Sequence, residues 1–246
     1  MLRLLVVTAH PDDEAAGFGG TLLLSHERGI ETYVICLTAG QAATHRGGAK
    51  SDEELAAMRR EEFTASCAHL HVTRGEVIGY PDGKLDRQDF HEATGELTRR
   101  VREIRPHVML TFGTEGGITA HPDHSMASIY ATMAFQWASR TNRYKEQFAS
   151  GIEPWRPQKL YYSASPFQLP DRQPIAPAPC TISIDIHKYL QRKIEAFRKH
   201  TSQGPLFDLF ERHLKQHDGK ERFHLAACAV AGDSAREEDI FAGVAE

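Results

Sequence analysis

The chain has 246 residues, 41% of them hydrophobic, and a formal net charge of −4. That length buries a core without staples, and mixed charge with no basic stripe or polybasic patch argues against nucleic acid or a membrane surface as the partner. Cys36, Cys67, Cys180 and Cys228 are far apart with no C-x-x-C pair, which disfavours a thiolate metal site and a disulfide framework.

Leu2 to Thr8 is a β-favouring apolar run of the kind found in a parallel sheet buried on both faces. It has no signal-peptide cleavage pattern, and no apolar segment approaches bilayer length, so the expectation is a cytoplasmic protein that acts on a small molecule. Gly20 through Leu24 to His26 reads as a helix ended by Gly29, Glu31 to Thr38 as a second strand, and AGQAATHRGGAK as a loop. Ser51 and Glu54 form an S-x-x-E capping box that opens the next helix. A strand follows within Val72 to Gly79, then a turn at Pro81 to Gly83, a helix from Phe90 to Ile104 stopped by Pro106, and a strand from His107 to Phe112. The glycine loop GTEGGIT leads into a helix that begins near HPDH and runs to about Arg140.

This alternation predicts an α/β fold: a Rossmann-like, mostly parallel sheet with helices on both faces. Beyond it lie strands at KLYYSA and CTISID, a helix from His187 to His200, a short helix near Leu206 to Gln216, and a strand from Phe223 to Val230. With no repeat and no linker, the expectation is one domain over residues 1–246, with a core at 1–140 and an irregular C-terminal extension at 141–246.

Ligands of parallel α/β sheets sit at the carboxyl ends of the strands, where both HPDD (residues 10–13) and HPDH (residues 121–124) fall. One such turn alone reads as a helix cap, since Asp favours a helix N-terminus and Pro its first turn. Two at one sheet edge supply imidazoles and carboxylates that can converge on a point. Without thiolate, that donor set fits zinc and, less decisively, iron or manganese. A catalytic zinc takes three protein ligands and keeps a position for water. His10 and Asp13 from the first turn and one histidine from the second would complete it; spacing does not decide between His121 and His124. Asp12 and the remaining histidine are then free to act as general base and, as a cation, as oxyanion-stabilising or acid group, with Asp123 raising that histidine's pKa and orienting it.

AHPDDEAAGFGGTL and HPDH resemble the two signature motifs of the LmbE-like (PIG-L type) family of zinc-dependent de-N-acetylases, which includes the deacetylases of mycothiol and bacillithiol biosynthesis. The similarity continues through LTAGQ, the R-x-x-E of Arg59 and Glu62, GYPDG, and IDIHKYLQRKIEAFRKHTSQ. The resemblance implies that His10, Asp13 and His124 ligate zinc, that Asp12 is the general base, and that His121 is the oxyanion or acid histidine oriented by Asp123. It also implies that Arg59 and Asp82 hold sugar hydroxyls, and that the substrate is an N-acetylated sugar losing its acetyl group. Homo-oligomers are an expectation by analogy with related enzymes. The chain departs from the mycothiol branch at Thr119, where that branch has Tyr, at Ala120, usually Gly, and at Gln41, where an acidic residue is common.

GFGG, residues 17–20, is a poor phosphate loop behind three carboxylates, and close packing of the helix on the sheet explains it better. His187, His200, His213, His217 and His224 are scattered; only His200 with Gln203 matches a family pattern, H-x-S-Q, that would brace the rim. Arg143, Tyr144 and Lys145 fit a substrate contact or an oligomer interface equally. Two rival functions remain: a calcium-dependent nucleoside or glycoside hydrolase, and a non-catalytic sugar or nucleotide binder.

Overall fold

The computed structural model describes residues 1–164, 176–216, 218–230 and 238–246. Its strands are β1 (Arg3–Thr8), β2 (Glu31–Thr38), β3 (Arg74–Tyr80), β4 (Val108–Thr111), β5 (Lys159–Ser163), β6 (Ile182–Asp185) and β7 (Lys220–Cys228). Its helices are α1 (Asp13–Glu27), α2 (Asp52–His69), α3 (Phe90–Ile104), α4 (Pro122–Trp137), α5 (Leu190–Phe197) and α6 (Phe207–Gln216).

All seven strands join one sheet in the order β3-β2-β1-β4-β5-β7-β6. The first five run parallel; β7 is antiparallel to both β5 and β6. The residues after 140 are thus less irregular than expected, because three strands extend the same sheet. Leu4, Leu5, Val6 and Val7 of β1 are all fully buried, as a central strand covered on both faces requires. The chain winds outward through β1, β2 and β3, then crosses back to β4 on the other side of β1. Strand order reverses between β1 and β4, and a crevice opens at the carboxyl ends of such a pair. Right-handed crossovers put α1 and α2 on one face and α3 and α4 on the other; α3 packs on α4, while α5 packs on α1 and α2.

Capping accounts for several boundaries. Ser51 Oγ accepts from Glu54 N at 3.2 Å, and the Glu54 carboxylate reaches back to Lys50 N at 2.7 Å, one residue earlier than the simplest capping box. Asp89 caps α3 through Glu92 N. Helix α1 begins at Asp13, well before Gly20, so the GFGG glycines lie inside it. The reason is close approach: a Cβ on Gly20 would sit 2.5 Å from the Ile186 side chain. Gly20, with Gly19 beside Leu70 and Lys193, lets α5 and the segment leading into it pack against α1, so the close packing is with α5 and its approach rather than with the sheet. That contact also encloses a charge pair, in which Lys193 meets Glu221, whose carboxylate accepts from Gly20 N, Thr21 N and Thr21 Oγ1. Among the described residues, no helix is long and apolar enough to cross a membrane.

Candidate active site

The loop from Ala9 into α1 leaves the end of β1, and the loop from Phe112 into α4 leaves the end of β4. Both signature turns therefore face the crevice at the strand-order reversal. Asp12 occupies the N-cap position of α1 at φ 113°, a left-handed conformation costly for a residue with a side chain, and its carboxylate makes no cap hydrogen bond. Its Oδ2 instead accepts from Arg59 Nη2 at 3.0 Å. The capping explanation of HPDD is thereby removed. In HPDH it holds for one residue: His121 caps α4, its Nδ1 accepting from Asp123 N at 3.1 Å, with Pro122 at the first helical position.

Three potential ligand groups converge, Asp13 presenting a different carboxylate oxygen to each histidine. His10 Nδ1 lies 3.2 Å from His124 Nε2, His124 Nε2 lies 3.3 Å from Asp13 Oδ1, and His10 Nδ1 lies 3.6 Å from Asp13 Oδ2. A tetrahedral ion with bonds of about 2.0–2.1 Å holds its ligands roughly 3.3 Å apart, close to the spacing of His10 Nδ1, His124 Nε2 and Asp13 Oδ1, which lies on the free side of the carboxylate. Its surroundings fix the tautomers. His124 Nδ1 lies 3.0 Å from Gly116 O, which takes that ring proton and leaves Nε2 bare. Asp13 is oriented by the N–H groups of Ala9 and His10. His10 Nε2 is 3.0 Å from Asp82 Oδ1 and 3.5 Å from Asp123 Oδ2, at ion-pair distance though without hydrogen-bond alignment on either. His10, His121 and Asp123 form a second cluster of potential ligands that shares His10.

The electrostatics call for a cation. Burial pulls the His10 imidazole down, but Asp123, Asp13 and Asp82 override it and hold its pKa well above the ordinary histidine value. Burial pushes Asp13 up, yet His124 and His10 carry it well below the usual carboxylate range. Asp12 goes the other way: burial dominates, Arg59 opposes it, Asp13 adds to it, and its carboxyl is raised to about 6. His121 is not the cationic histidine that the sequence suggests: its pKa is lowered, first by burial and then by His10 and His124, and the upward pull of Asp123 does not offset them. With its Nδ1 accepting a backbone hydrogen bond, a neutral His121 carries its proton on Nε2.

Asp123 does not turn its carboxylate to His121 in the way the sequence suggests. It accepts from Gly83 N at 2.7 Å and Leu85 N at 3.1 Å, tying α4 to the turn after β3, and meets His121 through its backbone N–H. Asp82 Oδ2 accepts from Ala42 N at 2.8 Å while its Oδ1 faces His10. Arg59, almost fully buried on α2, donates to Gly40 O at 2.9 Å and to Pro11 O as well as to Asp12. Gly40 permits this: at φ +65° it has no Cβ, and one placed there would lie 2.1 Å from Arg59 Nη1.

A brace that motif spacing alone does not reveal lies behind these residues. Glu14, fully buried, accepts from Ser66 Oγ at 2.6 Å and from Asp12 N at 3.0 Å, and its Oε1 is 2.7 Å from His200 Nε2. Glu62 accepts from Thr201 Oγ1, Ser202 N and Ser202 Oγ, and Gln203 Nε2 donates to His45 O. The H-x-S-Q segment thus anchors both the HPDD turn and the loop after β2. Ala120 sits at φ 51°, which explains why glycine is usual there, and Thr119 Oγ1 lies 3.4 Å from His124 Nδ1. Tyr144 is buried against α3 with its hydroxyl on His91 O, and Arg143 stacks over Trp137. Neither lines the cavity. His217 and residues 165–175 lie outside the described residues.

A cavity of about 450 Å³ opens on this cluster, lined by His10, Asp12, Asp13, Arg59, Asp82, His121 and His124 among others. That size lies within the range of small-molecule sites.

The profile of the PIG-L family, described as GlcNAc-PI de-N-acetylase, matches residues 5–135. A mycothiol S-conjugate amidase from Streptomyces coelicolor is 28% identical to the chain, with 99% of this chain and 97% of that protein aligned. A 1D-myo-inositol 2-acetamido-2-deoxy-alpha-D-glucopyranoside deacetylase from Frankia alni is 31% identical, over 98% of this chain and 100% of its own. Among solved structures, the N,N'-diacetylchitobiose deacetylase from Pyrococcus horikoshii superposes with a TM-score of 0.78 at 22% identity, covering 91% of this chain and 83% of that one.

Proposed function

The chain belongs to the PIG-L family of GlcNAc-PI de-N-acetylases, and from that premise we propose that it hydrolyses the acetamide of an N-acetylglucosamine-type sugar or sugar conjugate. Acetate and the free amino sugar are the products. The observation that carries this is the His10–Asp13–His124 triangle with the Asp12 carboxylate beside it, outside the ligand set. Zinc is the cation that this nitrogen-rich, thiolate-free, three-ligand set suits best. The whole chain works as one domain in this reading, with residues 141–246 supplying the far end of the sheet and the brace at His200.

When bound, the ion supplies Lewis-acid polarisation of the amide carbonyl and acidifies water. Asp12 takes the proton of the attacking water and passes it to the leaving amine. Arg59 holds that carboxylate by Oδ2 and fixes the strained backbone beneath it. His121, protonated on Nε2, donates to the carbonyl oxygen as negative charge develops there, a role that a neutral imidazole performs without discharging a proton. Asp82 and Asp123 hold His10 in its ligating orientation. Asp82 lines the cavity and offers its remaining lone pairs to sugar hydroxyls, while Arg59, committed to Gly40 O, Pro11 O and Asp12, has only its second Nη1 hydrogen left to offer.

The test is a panel of N-acetylglucosaminides incubated with zinc-loaded protein and followed by mass spectrometry. Loss of one acetyl mass with matching acetate release is the expected result. No acetyl loss across the panel despite bound zinc would favour a sugar-binding module, and calcium without zinc in protein purified free of chelators would favour the calcium-dependent hydrolase.

A further inference from the structure

Beside its polar cluster the cavity carries an extended apolar wall. Ala16 and Gly17 line it from α1, Phe197 from the end of α5, Leu206 from the turn before α6, and Leu209 and Phe210 from α6 itself. The polar lining comes mostly from the loops after β1, β2, β3 and β4 and from α2, with Gln203 and His213 the polar members beside the apolar wall. Ala16 and Gly17 follow Asp13 by three and four residues on α1, which puts them on its face one turn on, about 5.4 Å along the axis. A Cβ on Gly17 would meet nothing within 4 Å, so the helix there borders open space. Phe197 stacks on Phe210 at 4.1 Å, which fixes the deep part of the wall, while Leu206 and Leu209 remain partly exposed beside it. On the cavity floor, Phe112 stacks on His124 at 4.1 Å, carrying apolar surface up to the triad.

We propose that the substrate carries an apolar alkyl or aryl group that lies along this wall within one helical turn of the reacting amide. The inference rests on the deacetylase reading and narrows its substrate class. Pyranose hydroxyls gain nothing from Phe197, Leu206, Leu209 or Phe210, and an acetyl methyl is too short to reach beyond Ala16 and Gly17. An apolar substituent removes that surface from water. It can be borne on either side of the reacting bond, as a longer acyl chain or as an apolar aglycone, and the two sources separate by experiment.

Two substrate series decide it with the zinc-loaded protein. One varies the acyl group of a methyl glucosaminide through acetyl, butanoyl and hexanoyl; the other keeps acetyl and varies the aglycone through methyl, butyl, octyl and phenyl. In the series that uses the wall, kcat/KM should rise roughly fourfold per methylene until the wall is covered. Leu209→Asn and Gly17→Leu should each flatten that slope, the first by removing apolar surface and the second by filling the space. Calorimetric binding of the same compounds is measured in parallel, so a protein that hydrolyses none of them still reports on the wall. Affinity and kcat/KM independent of chain length in both series would overturn the proposal, while acetyl loss from the methyl glycoside would still uphold the deacetylase reading. Absence of hydrolysis with affinity rising along one series would do the reverse.

Discussion

Gly40→Ala should disable the enzyme without removing its metal. Gly40 sits at φ +65°, where an L side chain costs about 1–2 kcal/mol. The new Cβ would also lie 2.1 Å from Arg59 Nη1 and 2.5 Å from its Cζ, so the guanidinium must withdraw by about 1.3 Å to reach an ordinary 3.4 Å contact. That movement breaks the 2.9 Å bond to Gly40 O and the 3.0 Å bond to Asp12 Oδ2. Asp12 then keeps its strained backbone but loses the cation that aims its carboxylate, and misplacing a reacting group by about 1 Å can cost roughly a hundredfold in rate. The expected result is a fall of about that size in kcat/KM, unchanged zinc stoichiometry, and a Tm lowered by about 2–8 °C from the backbone cost alone. Gly29→Ala is the control: it lies at φ +74°, with nothing within 4 Å of an added Cβ, so it should lower Tm similarly and leave kcat/KM intact. A Gly40→Ala enzyme within threefold of the parent in kcat/KM would refute the claim that Arg59 positions Asp12.

Asp82→Asn should weaken zinc binding about 10–100-fold in a competition titration against a chromophoric chelator, because it removes one of the two carboxylates facing His10 Nε2. Unchanged affinity would leave Asp82 to the substrate alone. Glu221→Leu should cost about 3–5 kcal/mol in urea denaturation, since it strands the buried Lys193 ammonium. It also removes the acceptor of Gly20 N, Thr21 N and Thr21 Oγ1, and a loss below about 1 kcal/mol would contradict a role for this pair in holding α5 against α1. Ser51→Ala should lower stability by about 1 kcal/mol by deleting the cap of α2, measured in the same denaturation experiment, and no change would mean that the Oγ contact with Glu54 N contributes nothing.

The elements most readable from sequence are those whose signals are local. Helix α3 runs from Phe90 to Ile104 and β2 from Glu31 to Thr38, as the pattern of apolar residues and stop signals requires. Helix α1 starts at Asp13 rather than near Gly20, and Gly20 lies inside it, where its missing Cβ admits Ile186 from a distant segment. Strand β7 begins at Lys220 rather than Phe223, since Glu221 takes an inward position that an apolar pattern cannot show; its partner Lys193 is distant in sequence. The order β5-β7-β6 depends on long-range pairing and leaves no local trace. In the site, the two H-P-D turns were visible because each motif is contiguous. The brace through Glu14, Ser66 and His200 was only half visible, since its members come from three segments. The direction of the Asp123 carboxylate was hidden for a similar reason: its acceptor role is set by Gly83 and Leu85, on another turn.

The central claim is that adjacent aspartates divide two tasks, Asp13 holding the ion and Asp12 moving the proton. Zinc content and acetate release measured together on purified Asp12→Asn test it most directly. The account predicts one zinc per chain, as in the parent, with hydrolysis reduced by about 10²–10⁴-fold. Near-parental turnover, or loss of the zinc, would contradict it.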